Sequence, residues 1–520
     1  MNIWTTLEKA RSLYPEKIGM IDNDRSFTYK KIGERVCTLA RFFQEHGIQP
    51  EDRISILDVN SYVFFENYYA AAGIGAILSP LNHRLSAKEI AYILRDAGAR
   101  WLVANSSFSP LVENILTEPT LLEGILWIGE IPSLSADISF HEYGKIMDRE
   151  PTPFKPVPIR EEQVAQLYYT SGTTGSPKGV MLTHKNVCIH ALGTIGELKL
   201  VDADIWGHIA PMFHLADAWA TFAITWVGGQ HVMVPHFEAE KVMATIEKEQ
   251  ITLSNLIPTM LNLMIKHPQV RSYNYSSLRA ILSGGAPIAP QLVHNIIRTF
   301  GCDYIQTYGM TETSPYLTLS ILKEHLQNLP AEERLTYKAK TGRPFITVDL
   351  QVMDKNNTPV VSDGQQVGEI WVRGDTITPG YWKRPVETRN AFSGAWLRTG
   401  DLAVVDKEGY VNIVDRKKDM IISGGENIYS TEVENVLYRH PKVLEAAVIG
   451  IPDEKWGEAV KAVVVLKPNE TSTEEEIIRF CKQHQASYKT PKSVDFLTEL
   501  PKTGSGKIFK KVLRDPYWPK

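Results

Sequence analysis

Over residues 1–110, short apolar runs of strand length alternate with longer amphipathic runs, and no other feature of the chain narrows its fold as much. Strands are expected at 27–30, 53–57, 76–81 and 101–104, and helices at 31–46, 62–73 and 87–97, the last stopped by Gly98. Repeated strand–helix–strand order needs crossover connections, and hence a largely parallel sheet covered by helices. The pattern resumes beyond a proline- and charge-rich connector at 150–165, with strands at 164–169, 206–211, 231–234, 253–256 and 278–283 and a helix opening near Pro290. From about 340 the texture becomes short β segments, at 348–353, 368–373 and 409–414, separated by turns such as Asp354-Lys355-Asn356-Asn357. Past the charged run 415–419 it is mixed again, with helices at 431–438 and 474–484 and strands at 446–449 and 459–466. The expected fold class is therefore α/β. A large N-terminal domain of mostly parallel βαβ subdomains runs to about 340 and continues into a small β subdomain at about 341–415, and a smaller α+β domain follows. At 520 residues the chain exceeds what one core supports, which agrees with several domains.

The strand at 164–169 delivers Tyr168-Tyr169-Thr170-Ser171-Gly172-Thr173-Thr174-Gly175-Ser176-Pro177-Lys178-Gly179-Val180. Glycines that admit close backbone approach, hydroxyl donors and a single lysine suit a phosphate cradle, and a strand leading into such a loop is the right context. A surface linker has a similar composition. The loop is not a Walker A motif, since Pro177 and Lys178 fall where that motif needs Gly-Lys; nor is Gly504-Ser505-Gly506-Lys507, because Pro501 precedes it and Ile508 follows.

Composition closes off other classes. A net charge of −4, from 56 basic and 60 acidic residues, gives no nucleic-acid-binding surface. Cys37, Cys188, Cys302 and Cys481 lie far apart with no paired spacing, so they read as buried small hydrophobes in a reducing compartment. The N-terminus lacks a signal-peptide core, and the apolar run 215–234 is interrupted by Asp217, Gln230 and His231, too soon for a membrane span. A cytoplasmic protein with no transmembrane segment is expected, and a homodimer is the commonest assembly for such a chain.

Further segments carry chemistry. Tyr308-Gly309-Met310-Thr311-Glu312-Thr313 combines an aromatic face for a purine, a hydroxyl, and a carboxylate able to hold Mg²⁺. Ser283-Gly284-Gly285-Ala286-Pro287 is a strand-end turn of the kind that lines a ligand crevice. Trp396-Leu397-Arg398-Thr399-Gly400-Asp401 ends on a carboxylate suited to ribose hydroxyls, and Pro501–Lys507 places one lysine on a glycine-rich loop.

These motifs, in this order, resemble the acyl-adenylate-forming superfamily of AMP-dependent synthetases and ligases, nearest to fatty-acyl and aryl-acid CoA ligases. The likeness spans nearly the whole chain and is complete over 169–179. It implies a two-step ligase using ATP, Mg²⁺ and coenzyme A on a small carboxylic acid: acyl-AMP forms with release of pyrophosphate, and a thiol then displaces AMP. The expected acid is apolar, a medium- or long-chain fatty acid; an aryl acid, or an amino acid loaded onto a carrier protein, are the alternatives, the last suggested by Asp217. The resemblance implies that Thr170, Ser171, Gly172, Thr173, Thr174, Gly175 and Lys178 cradle the β- and γ-phosphates. By the same likeness Thr311 meets the α-phosphate, Glu312 binds Mg²⁺, Tyr308 and Gly285 border adenine, Asp401 and Arg416 hold ribose, and Lys507 bridges carboxylate and α-phosphate. His214 is placed at the mouth of an acyl pocket with Gly309, Met310 and Trp219, core packing being the other reading of Trp219. It further implies a hinge at 416–418 centred on Lys418, joining residues 1–415 to a mobile domain at 419–520. Rotation there would exchange Lys507 for a pantetheine tunnel that includes Gly424, Gly425, Glu426 and Asn427.

Overall fold

The computed structural model describes residues 1–134, 136–150, 152, 154–170, 176–285, 288, 290–502 and 508–518. The chain divides into two compact units, Met1–Asp349 with Val372–Leu397, and Leu350–Trp371 with Arg398–Lys520.

The first unit is built on two sheets. One runs in the order Ser139–Glu142, Gly124–Ile128, Ala99–Asn105, Arg53–Leu57, Ile77–Pro80, Val164–Thr170, Lys178–Thr183. All neighbours are parallel except the last pair, an antiparallel hairpin that sets Tyr168 opposite Val180 and Thr170 opposite Lys178. The other is nine-stranded, in the order Arg343–Pro344, Tyr316–Leu319, Asp303–Gly309, Ala280–Gly284, Leu253–Asn255, Ile205–His208, Gln230–Met233, Ile18–Asp22, Arg25–Thr28. Its inner pairs are parallel and its edge pairs antiparallel.

Local chemistry explains several element boundaries. Ser86 and Glu89 form a reciprocal capping box that opens helix Ala87–Ala97, and Gly98 closes it in the left-handed conformation at φ 72°. Helix Tyr62–Ile74, capped by the Ser61 hydroxyl on the Phe64 N–H, is buried at every position from Val63 to Ile74 and is accordingly apolar except for Glu66, paired with Arg35, and Asn67, whose amide donates to the Val63 carbonyl. The apolar run that begins at Leu215 resolves into a thirteen-residue helix, Leu215–Val227, a left-handed Gly228 and the short strand Gln230–Met233. No helix among the described residues is long and apolar enough to cross a membrane. All four cysteines are free and buried, as their scattered spacing suggested.

The second unit carries an antiparallel sheet in the order Glu426–Ile428, Ile421–Ser423, Gly457–Leu466, Val443–Asp453, with Ser493–Phe496 joined in parallel to Gly457–Leu466. Helices Ser430–Leu437 and Glu474–His484 contribute Val433, Leu437, Ile477 and Cys481 to a core shared with Val448, Val460, Ala462 and Val464. Strands Trp396–Val405 and Val411–Arg416 pair antiparallel and set Asp401 opposite Arg416.

Candidate active site

In the first unit the chemistry-bearing residues gather at the carboxyl ends of parallel strands, where open α/β sheets bind ligands. Gly284 pairs with Thr307 on the neighbouring parallel strand, so Gly285 and Tyr308 emerge side by side. Gly285 has φ 87°, a conformation that a side chain would strain. One residue past Tyr308 the backbone is tighter still, since a Cβ on Gly309 would lie 1.8 Å from the Pro315 carbonyl oxygen. The chain then makes the 3₁₀ turn Thr311–Thr313, locked by the Thr313 hydroxyl, which accepts from the Met310 N–H at 3.1 Å and donates to the Pro315 carbonyl.

Glu312, in this turn, is almost wholly buried. The Tyr381 hydroxyl donates to its Oε1 at 2.9 Å, and the Thr378 N–H donates to its backbone carbonyl at 2.8 Å. Burial and the adjoining Glu312 carboxylate push the Tyr381 phenol upward, so it remains a donor. The segment carrying Tyr381 lies against the strand that leaves the phosphate-loop candidate. Val180 and Tyr381 form a bridge, the Met181 N–H donates to the Gly380 carbonyl at 3.1 Å, the Trp382 N–H donates to the Gly179 carbonyl at 2.8 Å, and the Thr378 hydroxyl donates to the Met181 carbonyl at 2.6 Å. Lys178 Nζ stands 5.6 Å from the centroid of the Tyr381 ring. One tyrosine thus meets both Lys178 and Glu312. Thr170 faces Lys178 across the hairpin, while Ser171, Gly172, Thr173, Thr174 and Gly175 lie outside the described residues, as does Lys507. The donor set at the turn, a carboxylate beside the Thr311 hydroxyl, is the hard-oxygen chemistry that Mg²⁺ takes.

His214 caps the N-terminus of helix Leu215–Val227, its ring 4.6 Å from that of Phe213. The approach to it, 208–212, is clamped by the buried Asn60: its amide nitrogen donates to the carbonyls of His208 at 2.8 Å and Ala210 at 2.9 Å, and its oxygen accepts from the Met212 N–H at 2.7 Å. The Tyr68 hydroxyl adds a bond to the Met212 carbonyl at 2.9 Å and sits 2.7 Å from the hydroxyl of Tyr168, so the strand feeding the phosphate-loop candidate and the His214 segment share one buried contact. Met310 leads from Gly309 into the 3₁₀ turn. Trp219 is fully buried, packed 4.9 Å from Trp206 and 5.4 Å from Tyr316, with its indole N–H on the Ala216 carbonyl.

Asp217 is wholly enclosed. Its carboxylate accepts from Trp206 Nε1 at 3.2 Å and contacts His208 Nδ1 at 2.5 Å; His208 Nε2 meets His231 Nδ1 at 3.0 Å, and His231 Nε2 meets the Thr225 hydroxyl at 3.0 Å. Burial raises the Asp217 carboxyl, an effect offset by His208 and Trp206, while burial beside His208 holds His231 well below its usual range. Asp217 is therefore satisfied within the protein.

In the second unit, Arg416 Nε reaches Asp401 Oδ1 at 3.0 Å, with Asp401 nearly buried and Arg416 half exposed. Lys418 receives a bond at its carbonyl from Arg514 Nη1 at 2.8 Å, and burial pushes its ammonium down. Gly424 and Gly425, both at positive φ, make the turn between Ser423 and Glu426, which pair with one another; Glu426 is exposed.

Sequence reasoning missed Asn60, Tyr68 and Tyr381. The available signal for Tyr381 is the Pro379-Gly380 turn followed by two aromatic residues, whereas the groups that Asn60 and Tyr68 bond at Tyr168 and at 208–212 lie a hundred or more residues away.

The model of the AMP-binding enzyme family matches residues 7–382, and that of the AMP-binding enzyme C-terminal domain matches 432–507. A long-chain-fatty-acid–CoA ligase of Thermus thermophilus is 35% identical, with 99% of this chain and 96% of that one covered. A feruloyl-CoA synthase of Amycolatopsis is 36% identical over 98% of this chain and 97% of that one. Among solved structures, an anthranilate CoA ligase in complex with anthranoyl-AMP superposes with a TM-score of 0.87 at 27% identity, covering 99% of this chain and 97% of that one. With family models matching both its N-terminal and its C-terminal parts and likeness to these relatives from end to end, this chain belongs to the AMP-binding enzyme family of acyl-adenylate-forming synthetases.

Proposed function

We propose that this protein is an ATP-dependent acid–CoA ligase acting on an apolar carboxylate. The observation that carries the reading is the meeting of Lys178 and Glu312 at Tyr381, a cation and a hard-oxygen anion beside the strand ends. In the first half-reaction a carboxylate oxygen of the acid attacks the α-phosphorus of ATP, the bond to the β-phosphate oxygen breaks, and pyrophosphate leaves. In the second, the CoA thiol, losing its proton, attacks the acyl carbonyl and AMP departs. Charge grows on phosphoryl oxygens and then on a carbonyl oxygen, so fixed donors and cations supply most of the rate.

In this reading Thr170, Ser171, Gly172, Thr173, Thr174, Gly175 and Lys178 bind the β- and γ-phosphates, Thr311 donates to the α-phosphate, and Gly285 and Tyr308 border the adenine. Glu312 would hold Mg²⁺, which when bound neutralises phosphate charge. Asp401 and Arg416 take the ribose, and Lys507 bridges the two reacting groups. Lys418 serves as the hinge between residues 1–415 and 419–520, and Gly424, Gly425 and Glu426 line the pantetheine path. His214, Gly309, Met310 and Trp219 stand around the acyl group.

Asp217 disfavours the amino-acid alternative, since a carboxylate already engaged by Trp206 and His208 and shut from solvent does not pair with a substrate ammonium. The fatty and aryl classes are separated by assay. Purified protein with MgATP is offered fatty, aryl and amino acids, and ATP–pyrophosphate exchange is measured. Exchange with a fatty or aryl acid, followed by thioester formation on adding CoA, is expected; exchange with amino acids alone overturns the reading.

A further inference from the structure

We infer that Tyr381 is a positioning residue for nucleotide binding, aiming the Glu312 carboxylate with its hydroxyl and seating Lys178 against its ring. The inference rests on the assignment above of Glu312 to the metal and Lys178 to the phosphates.

A carboxylate meant for a metal ion works only if its oxygens point the right way, and that orientation is normally set by a hydrogen bond to the oxygen. The Tyr381 hydroxyl supplies one at 2.9 Å to Oε1, within a half-buried pocket where it competes little with water. Tyr381 is itself held from both sides. Its N–H donates to the Thr388 hydroxyl at 3.0 Å, and Val180 bridges it on the strand that begins at Lys178. Gly380, just before it, has φ 142°, and a Cβ there would meet the Thr388 side chain at 2.4 Å, so the turn that presents the ring tolerates little change. Since Tyr381 is tied to the strand starting at Lys178 and its hydroxyl to the turn holding Glu312, the ring fixes the spacing of two oppositely charged groups. Lys178 lies near the ring at 5.6 Å, which gives the ammonium an attractive surface that leaves its three donors available.

Two variants separate the hydroxyl from the ring. Tyr381→Phe keeps a face for Lys178 and deletes only the bond to Glu312. Tyr381→Leu deletes both. ATP binding to the full-length protein is measured by calorimetry, without acid substrate, with no Mg²⁺ and along a Mg²⁺ series. For Tyr381→Phe the Mg²⁺ concentration giving half of the maximal gain in ATP affinity should rise about 10–100-fold, the usual effect of removing an outer partner of a metal ligand. Its metal-free ATP affinity should remain that of the wild type. Tyr381→Leu should show the same shift and, in addition, a severalfold weaker metal-free affinity. Both variants should keep the far-ultraviolet circular dichroism spectrum of the wild type, which a general loss of structure would not allow. A Tyr381→Phe protein with the wild-type Mg²⁺ dependence overturns the inference, as does equal weakening with and without metal. Failure of the wild type to bind ATP more tightly with Mg²⁺ overturns instead the underlying assignment of Glu312.

Discussion

Replacing Asn60 by alanine should cost the protein a large share of its stability through a segment far away in sequence. The Asn60 amide makes three hydrogen bonds of 2.7–2.9 Å to the backbone at 208–212 and is only 4% exposed. Each such bond contributes about 1 kcal/mol net, and each buried backbone group left without a partner costs about 1–3 kcal/mol. The His208 carbonyl keeps the Val234 N–H at 3.1 Å, so two backbone groups are left unpaired and the loss amounts to about 2–6 kcal/mol, against total stabilities of about 5–15 kcal/mol for natural domains. Asn60→Asp sharpens the test. The aspartate can still accept from the Met212 N–H, but it turns an oxygen toward the carbonyls of His208 and Ala210, so at neutral pH it should be at least as damaging as alanine. Protonation restores one donor and removes a buried charge, so the folded state of the aspartate variant binds its proton more tightly than the unfolded chain. Its stability relative to wild type must therefore rise as pH falls toward 5. Urea unfolding followed by tryptophan fluorescence supplies the numbers, and the KM for the acid reports whether the His214 approach has shifted. A loss below 1 kcal/mol for Asn60→Ala, or an aspartate variant whose deficit does not shrink on acidification, would refute the reasoning.

Other consequences are as direct. Gly309→Ala places a methyl group 1.8 Å from the Pro315 carbonyl oxygen, so it should destabilise by about 1–3 kcal/mol or more and impair acid-dependent pyrophosphate exchange; wild-type stability by urea titration would contradict this. Asp217→Asn can satisfy only one of the two donors that Trp206 and His208 present, and should cost about 1–3 kcal/mol in unfolding experiments with the acid preference unchanged, whereas loss of an amino-acid-dependent activity at full stability would restore a substrate-binding role to Asp217. Asp58 is buried, and its carboxyl is raised from 3.8 to about 6. Its native form therefore holds a proton that the unfolded chain releases, and its contribution to stability falls as pH rises from 3.8 to about 6; the difference in unfolding free energy between wild type and Asp58→Asn should change across that window and be flat above it.

The alternation of strands and helices was legible because its signals are local. Helix Ala87–Ala97 agrees with the expectation at both ends, since its stop, Gly98, is written in the sequence, and Glu474–His484 agrees likewise. Strand Gly368–Arg373 agrees too. Boundaries set by partners were not legible. The strand expected at 206–211 is Ile205–His208: the His208 carbonyl still accepts from the Val234 N–H, and beyond it the Asn60 side chain, not a neighbouring strand, takes the Ala210 carbonyl and the Met212 N–H. The strand expected at 446–449 runs from Val443 to Asp453, because pairing with Gly457–Leu466 continues through Pro452 to the turn, overriding the weak local preference of those residues. At the site, motif residues such as Glu312 and Lys178 announce themselves by chemical type and spacing. The groups that hold them are harder to find: Tyr381 meets Lys178 from 203 positions away and Glu312 from 69, and the Pro379-Gly380 turn before it marks a presented aromatic pair without naming what that pair meets.

The central claim, that a carboxylate oxygen attacks the α-phosphorus of ATP, is tested most directly by isotope transfer. The purified protein is supplied with MgATP, CoA and an accepted acid labelled with ¹⁸O in both carboxylate oxygens, and the products are read by mass spectrometry. Attack at the α-phosphorus predicts one ¹⁸O in each AMP formed, one retained in the thioester, and none in pyrophosphate. Label in an inorganic phosphate, with ADP as the nucleotide product, would show an acyl-phosphate route and contradict the account.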